Sequence, residues 1–286
     1  MKRIVMDKRG WMMMRIFINR YHLKGREILL KYLSTEEAQA LQSQTIRSTD
    51  LSPLLYQPQN LLRRMHYSWI APLLENFPER LYPLVKAALT SEQASGLQNA
   101  QSLTLSKPVK TFIINQLYSF LKADERLPYD YLPETDLSEL GTWNKDKLTL
   151  LIDFLGLHDL AVEVRHIVDK NHLKNIYACL TPKQFYYLKV CLHQKEVLSV
   201  PKLGIDPSLK DCTKLKRIIH QRGLFRLSKA LCGQHPDFIW YLAHTLDTGR
   251  GKLILNAYQK ESIDKVTPFL KGQVINLMNF FKSESM

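Results

Sequence analysis

Apolar residues along this chain recur at three- and four-residue intervals rather than at every second position. That spacing gathers them on one side of an α-helix, whereas a half-buried strand needs alternation. Ile28, Leu29, Tyr32 and Leu33 form one such stripe, and Phe112, Ile113, Leu117, Phe120 and Leu121 another. Leu148, Leu151, Ile152 and Leu155 repeat the pattern, as do Phe238, Ile239, Leu242 and Leu246. Alternating β-branched runs are scarce, and no Asn-Gly or Asp-Gly pair joins two of them, so hairpins are not expected. The pattern predicts an all-α protein.

Three helix starts share one device. Leu33-Ser34-Thr35-Glu36-Glu37, Leu89-Thr90-Ser91-Glu92-Gln93 and Leu180-Thr181-Pro182-Lys183-Gln184 each place Ser or Thr three residues before Glu or Gln. The hydroxyl of Ser34, Thr90 or Thr181 suits the amide at the third helical position, while Glu37, Gln93 or Gln184 reaches back to the cap amide. The leucine before each cap can staple onto Ala38, Ala94 or Phe185, and Pro182 takes the favoured first helical position. Each unit reads as helix, tight corner, helix. Unequal distances between the three starts argue against a solenoid of fixed period, so the expectation is armadillo-like layers rather than a regular array.

Prolines divide the chain. Pro128, Pro133 and Gly141 interrupt helical periodicity between Asp124 and Trp143, because proline removes an intrahelical donor and pushes its predecessor out of the α region. The expected organisation is an N-terminal helical unit over 1–124, a Pro-rich linker over 125–143 and a C-terminal helical unit over 144–282. Pro53 and Pro58 mark a further break over 44–60, Pro201, Gly204 and Pro207 another over 199–211, and a frayed end is expected over 283–286.

The helix from Phe238 is preceded by Gln234-His235-Pro236-Asp237 and runs to Leu246-Asp247. This resembles the middle domain of the flagellar rotor protein FliG, in which a Glu-His-Pro-Gln box opens a helix that ends in Leu-Asp. The corners at Ser34 and Thr90 are similar to that family's repeated pattern. Gln234 and Asp237 depart from the box, Gly249-Arg250-Gly251-Lys252 replaces the helix-forming run after the corner, and no charged torque-generating helix is recognisable. Without that helix the chain looks more like the SctK-like sorting-platform component of a non-flagellar type III secretion apparatus. The resemblance implies a non-enzymatic cytoplasmic adaptor at the inner face of the membrane, joining the cytoplasmic domain of a membrane-ring protein to an SctQ-like pod protein. Gln234, His235, Pro236 and Asp237 then read as a protein-binding corner, with Phe238, Ile239 and Leu242 turned to the core.

Charge supplies a rival reading. Forty Lys and Arg against 27 Asp and Glu give 286 residues a net charge of +13, which suits an acidic protein, an anionic membrane surface or nucleic acid. Lys210, Lys214, Lys216, Arg217, Arg222, Arg226 and Lys229 crowd one span and read as a basic patch on two amphipathic helices joined near Gly223. Phe225 is the sole aromatic residue there, so stacking on bases is poorly served and nucleic acid stands second to an acidic protein. Trp11-Met12-Met13-Met14-Arg15-Ile16-Phe17-Ile18 suits either a membrane-surface or partner contact or burial in the first layer.

Catalytic and cofactor patterns are not met. Gly249-Arg250-Gly251-Lys252 is too short for a phosphate loop and reads as a basic helix corner. Cys191 with His193, Cys212 with His220 and Cys232 with His235 have no zinc-site spacing, and Cys179, Cys191, Cys212 and Cys232 are expected as reduced core thiols. Asp153, His158, Asp159, Glu163 and His166 are dense in titratable groups, but their spacing describes the wet face of an amphipathic helix. No catalytic residue, cofactor or metal is therefore expected. No apolar run is long enough for a membrane span, and the N-terminus lacks a signal-peptide pattern.

Overall fold

A computed structural model describes residues 8–21, 30–43, 57–97, 103–121, 126–194, 198, 203–204 and 211–283. Most of the expected break over 199–211, the stripe residues Ile28 and Leu29, Lys210 and most of the break over 44–60 lie outside the described residues. Among those residues the protein is all-α: fourteen α-helices, joined in places by short 3-10 turns, and no strand. No helix among them is long and apolar enough to cross a membrane.

The chain forms two compact units, and the division is not a single cut. The first contains residues 1–141 and 235–248, the second 142–234 and 249–286.

In the first unit, α1 (Lys8–Tyr21) is followed by α2 (Thr35–Gln42), α3 (Gln57–Arg64), α4 (Tyr67–Ile70), α5 (Tyr82–Ala88), α6 (Ser91–Gly96) and α7 (Lys107–Phe120). Met12, Ile16 and Ile18 of α1 are buried while Met13 and Phe17 are exposed, so the methionine-rich segment is in part core. Both expected capping boxes form here. The Ser34 N–H donates to Glu37 at 2.9 Å, and the Glu37 N–H to the Ser34 hydroxyl at 3.4 Å. Thr90 and Gln93 exchange the same pair at 3.2 and 3.3 Å. Gln93 does more than cap: its Nε2 donates to the carbonyls of Leu62 and Met65, both at 2.7 Å, which satisfies the free carbonyl end of α3.

The stretch expected as a linker is irregular, as its prolines require, but packed. Leu127, Tyr129, Tyr131, Leu132, Leu137 and Leu140 are all buried, and the Tyr129 hydroxyl donates to the Ser138 carbonyl. Prolines forbid a helix here, but apolar side chains at these positions still drive burial.

In the second unit, α8 (Lys145–Val164) is the central helix, buried along almost its whole length. Packed against it are α10 (Pro182–His193), α11 (Cys212–Ala230) and α14 (Val266–Ser283), and the unit also contains α9 (Lys170–Ala178) and α13 (Thr248–Ala257). The third capping box holds α10: Thr181 N–H to Gln184 at 3.0 Å and Gln184 N–H to the Thr181 hydroxyl at 3.2 Å.

One helix runs through Gly223, not the two expected. The glycine is there for close packing. A Cβ on Gly223 would lie 1.7 Å from the Ile152 carbonyl oxygen, and one on Gly156 would lie 2.0 Å from that of Ile219. Each glycine thus admits the other helix's backbone, which lets α8 and α11 cross closely with Leu151, Leu155, Leu215 and Leu227 buried.

Candidate functional site

The helix after the His-Pro pair is α12 (Pro236–Thr245), and its geometry explains both residues. Pro236 occupies the first turn, where its missing N–H is no loss, and the His235 Nδ1 accepts from the Asp237 N–H at 3.2 Å as the N-cap. Pro236 is exposed and His235 half-buried. Asp237 is not presented to solvent as the recognition-corner reading requires. It is 5% exposed and accepts from Arg126 Nη1 at 3.1 Å and from the Leu127 N–H at 3.2 Å. The carboxylate satisfies a backbone donor in the proline-broken stretch, a use for which only the folded chain supplies the partner. Phe238, Ile239 and Leu242 face the core as expected. Gln234, half-buried, ends the turn after α11, its N–H donating to the Leu231 carbonyl at 3.2 Å.

The rest of α12 is held within the first unit. The His66 N–H donates to the His244 carbonyl at 2.8 Å, the Trp69 indole N–H to the Leu246 carbonyl at 2.9 Å, and the Tyr241 hydroxyl to the Leu127 carbonyl at 3.0 Å. His244 stacks between Trp69 and Trp240, with ring centroids at 4.1 and 3.8 Å. Burial there pushes its pKa down to about 4, opposed by its bond to the Trp240 carbonyl, and the Arg126 charge lowers it further.

The basic run divides into two sets. Lys214, Lys216 and Arg217 on α11 are exposed, and Lys229, half-buried, lies 5.7 Å from the Phe225 ring centre. Phe225 itself is 55% exposed. Arg226 departs from the patch: it is 3% exposed and bonded through Nε to Asp159 at 2.6 Å and through Nη1 to Gln273 at 2.7 Å. Arg222 lies on the same carboxylate, 3.6 Å from its second oxygen. A buried guanidinium without a partner is too costly, so the side chain is spent on structure.

That pairing also corrects the reading of α8. His158 and Asp159 are buried rather than on a wet face. Because the Gln273 oxygen takes the Arg226 donor, its amide nitrogen donates to His158 Nδ1 at 3.3 Å; the ring is then neutral and its Nε2–H donates to the Tyr187 hydroxyl at 3.1 Å. Burial, then the Arg226 charge, drive the His158 pKa down to about 3, and burial raises that of Tyr187. Near the surface, Arg250 Nε donates to His220 Nε2 at 2.7 Å, and His220 Nδ1–H meets Asp153 at 2.6 Å. Arg250 therefore sits in the first turn of α13 as a donor to α11, and Gly251 behind it is buried. These chains of donors and acceptors fasten helices together.

The thiols are not all reduced. Cys179 at the end of α9 and Cys212 at the start of α11 form a disulfide, while Cys191 and Cys232 are free and buried. With the partners 33 positions apart, no short-range spacing announced the bond. No group of three or more His, Cys, Asp or Glu among the described residues is arranged to hold a metal ion.

No family model matches this chain, and neither a curated protein nor a solved structure is significantly similar to it.

Proposed function

We propose that the protein is a non-enzymatic scaffold, an adaptor of a bacterial type III secretion apparatus that links a membrane-ring protein to a cytoplasmic ring or pod component. In this reading its helices form armadillo-like layers, and it works at the cytoplasmic face of the inner membrane. The observation that carries the reading is how its polar side chains are spent. The residues most suited to chemistry, His158, Asp159, His220 and Arg226, are committed to bonds between helices. Helix α11 instead exposes Lys214, Lys216 and Arg217 in its first two turns and Phe225 about two turns further on. Such a surface suits an acidic protein partner. His235 and Pro236 support the resemblance on which the secretion assignment rests, because they open α12 as an N-cap and a first-turn proline.

The second reading is nucleic-acid binding, favoured by the same three exposed cations. A gel shift across a salt series separates the two. Phosphate contacts give an affinity that falls steeply with salt, about tenfold or more between 50 and 200 mM for a handful of contacts. Absence of a shift at low salt supports the scaffold; a salt-steep shift supports the alternative.

A further inference from the structure

The second unit holds a half-open cleft of about 420 Å³ that the proposed scaffold role does not use. Its size is that of a small-ligand site. Helix α8 supplies His158 and Val162 with Arg165 at its end, and α14 supplies Phe269, Gly272 and Asn276.

Gly272 is the telling residue. Glycine inside a helix costs about 1 kcal/mol relative to alanine. Gly156 and Gly223 have a packing reason for that cost, since a Cβ on either would meet backbone at 2.0 or 1.7 Å. Gly272 has none: a Cβ there would meet nothing within 4 Å. What the missing side chain does is leave the cleft wall open.

The chemistry of the lining names the class of ligand. Val162 and Phe269 give an apolar wall, Asn276 adds an amide, and no Asp or Glu among the described residues lines the cleft. Arg165 is the cation. Its Nη2 donates to the carbonyls of Cys191, Leu192 and Gln194, which fixes the guanidinium at the end of α10. Its Nε and Nη1 have no partner among the described residues, so a positioned pair of donors remains for an anion. The neutral His158 and Gln273, tied into the Arg226 network, hold a rigid polar floor.

We propose that this cleft binds a carboxylate borne on an apolar body, with Arg165 taking the carboxylate and Val162 and Phe269 the apolar part. A free small acid and the C-terminal residue of a polypeptide share that chemistry. Neither source depends on the scaffold assignment, so failure here leaves that reading standing.

Isothermal titration of the full chain with 3-phenylpropionate, and with its neutral amide, tests the site. The acid should bind with a dissociation constant near or below about 1 mM and at least about tenfold more tightly than the amide. Gly272→Leu should weaken the acid about tenfold or more without lowering the melting temperature, because the new side chain enters open space. Arg165→Met should bring acid and amide to equal affinity, a comparison internal to one variant and so independent of any loosening of α10. An acetylated pentapeptide ending in Leu-Phe, free or amidated at its C-terminus, separates the sources: tighter binding of the free form than of 3-phenylpropionate identifies a polypeptide end, and weaker binding a small acid. No binding of the acid, equal binding of acid and amide to the unmodified chain, or full binding to a folded Gly272→Leu protein would overturn the proposal.

Discussion

Replacing Gly223 with alanine puts the packing of the second unit to a numerical test. Helix propensity alone would make the change favourable by about 1 kcal/mol. The crossing opposes it. The added Cβ would start 1.7 Å from the Ile152 carbonyl oxygen, with the Gly156 nitrogen at 3.0 Å, so the obstacle is backbone and cannot rotate away. Ordinary contact needs well over 3 Å, and α8 and α11 would have to separate by roughly 1.5 Å. A gap of even 0.5 to 1 Å forfeits a quarter to a half of each contact's dispersion energy across the interface. Overpacked cores typically lose about 1 to 3 kcal/mol, and the rigid backbone places this site at or above the upper end. After the propensity gain, the net expectation is a loss of at least about 2 kcal/mol. Gly272→Ala is the matched control, the same chemical change in a helix where the Cβ meets nothing, and it should gain about 0.5 to 1 kcal/mol. Urea unfolding followed by circular dichroism measures both, with the slope checked for constancy. If Gly223→Ala proves as stable as the parent, or if the two substitutions shift stability in the same direction, the close crossing of α8 and α11 is wrong.

Three other outcomes follow from particular side chains. His158 and His244 have folded pKa values lowered to about 3 and about 4 from 6.5, so the unfolded chain takes up their protons first. Stability contributed by their neutral forms is whole above pH 6.5 and falls as pH drops toward those values, with each unit losing about 2 kcal/mol by pH 5. Thermal melts over that range should fall accordingly, and the His158→Gln protein should show a weaker acid dependence in the second unit; a flat profile would contradict the burial of both rings. Reduction of Cys179–Cys212 should cost roughly 3 to 4 kcal/mol by chain entropy, given partners 33 positions apart, and the Cys179→Ser, Cys212→Ser protein should melt like the reduced parent whether or not reductant is present. Gln93→Ala should cost about 1 to 2 kcal/mol more than Gln184→Ala in chemical denaturation, because Gln93 also carries the carbonyls of Leu62 and Met65; equal losses would reduce Gln93 to a cap alone.

What the sequence disclosed depended on how far apart the cooperating residues lie. The capping boxes at Ser34, Thr90 and Thr181 were legible because all their parts sit within three positions. So was the apolar face of α12, and so was the irregular path through Pro128 and Pro133. Asp237 looked like an exposed corner residue because its partners, Arg126 and Leu127, are over a hundred positions away. Asp159 and His158 looked like a wet helix face for the same reason: Arg226 and Gln273, which make their burial affordable, come from other helices. Gly223 gave the signal of a helix break, and only the backbone of α8 distinguishes a break from a crossing. The placement of α12 in the first unit likewise rests on contacts with His66, Trp69 and Leu127 that no local pattern encodes.

The scaffold assignment is tested most directly by affinity capture of the tagged full chain from lysate of its own organism, treated with nuclease, washed at moderate salt and read by mass spectrometry. The account predicts enrichment of a membrane-ring protein and a cytoplasmic ring or pod subunit of a type III secretion apparatus, reduced when Lys214, Lys216 and Arg217 are changed to glutamate in a protein that keeps its melting temperature. Enrichment of nucleic-acid-associated proteins that disappears with nuclease, or retention of no secretion subunit at all, would contradict it.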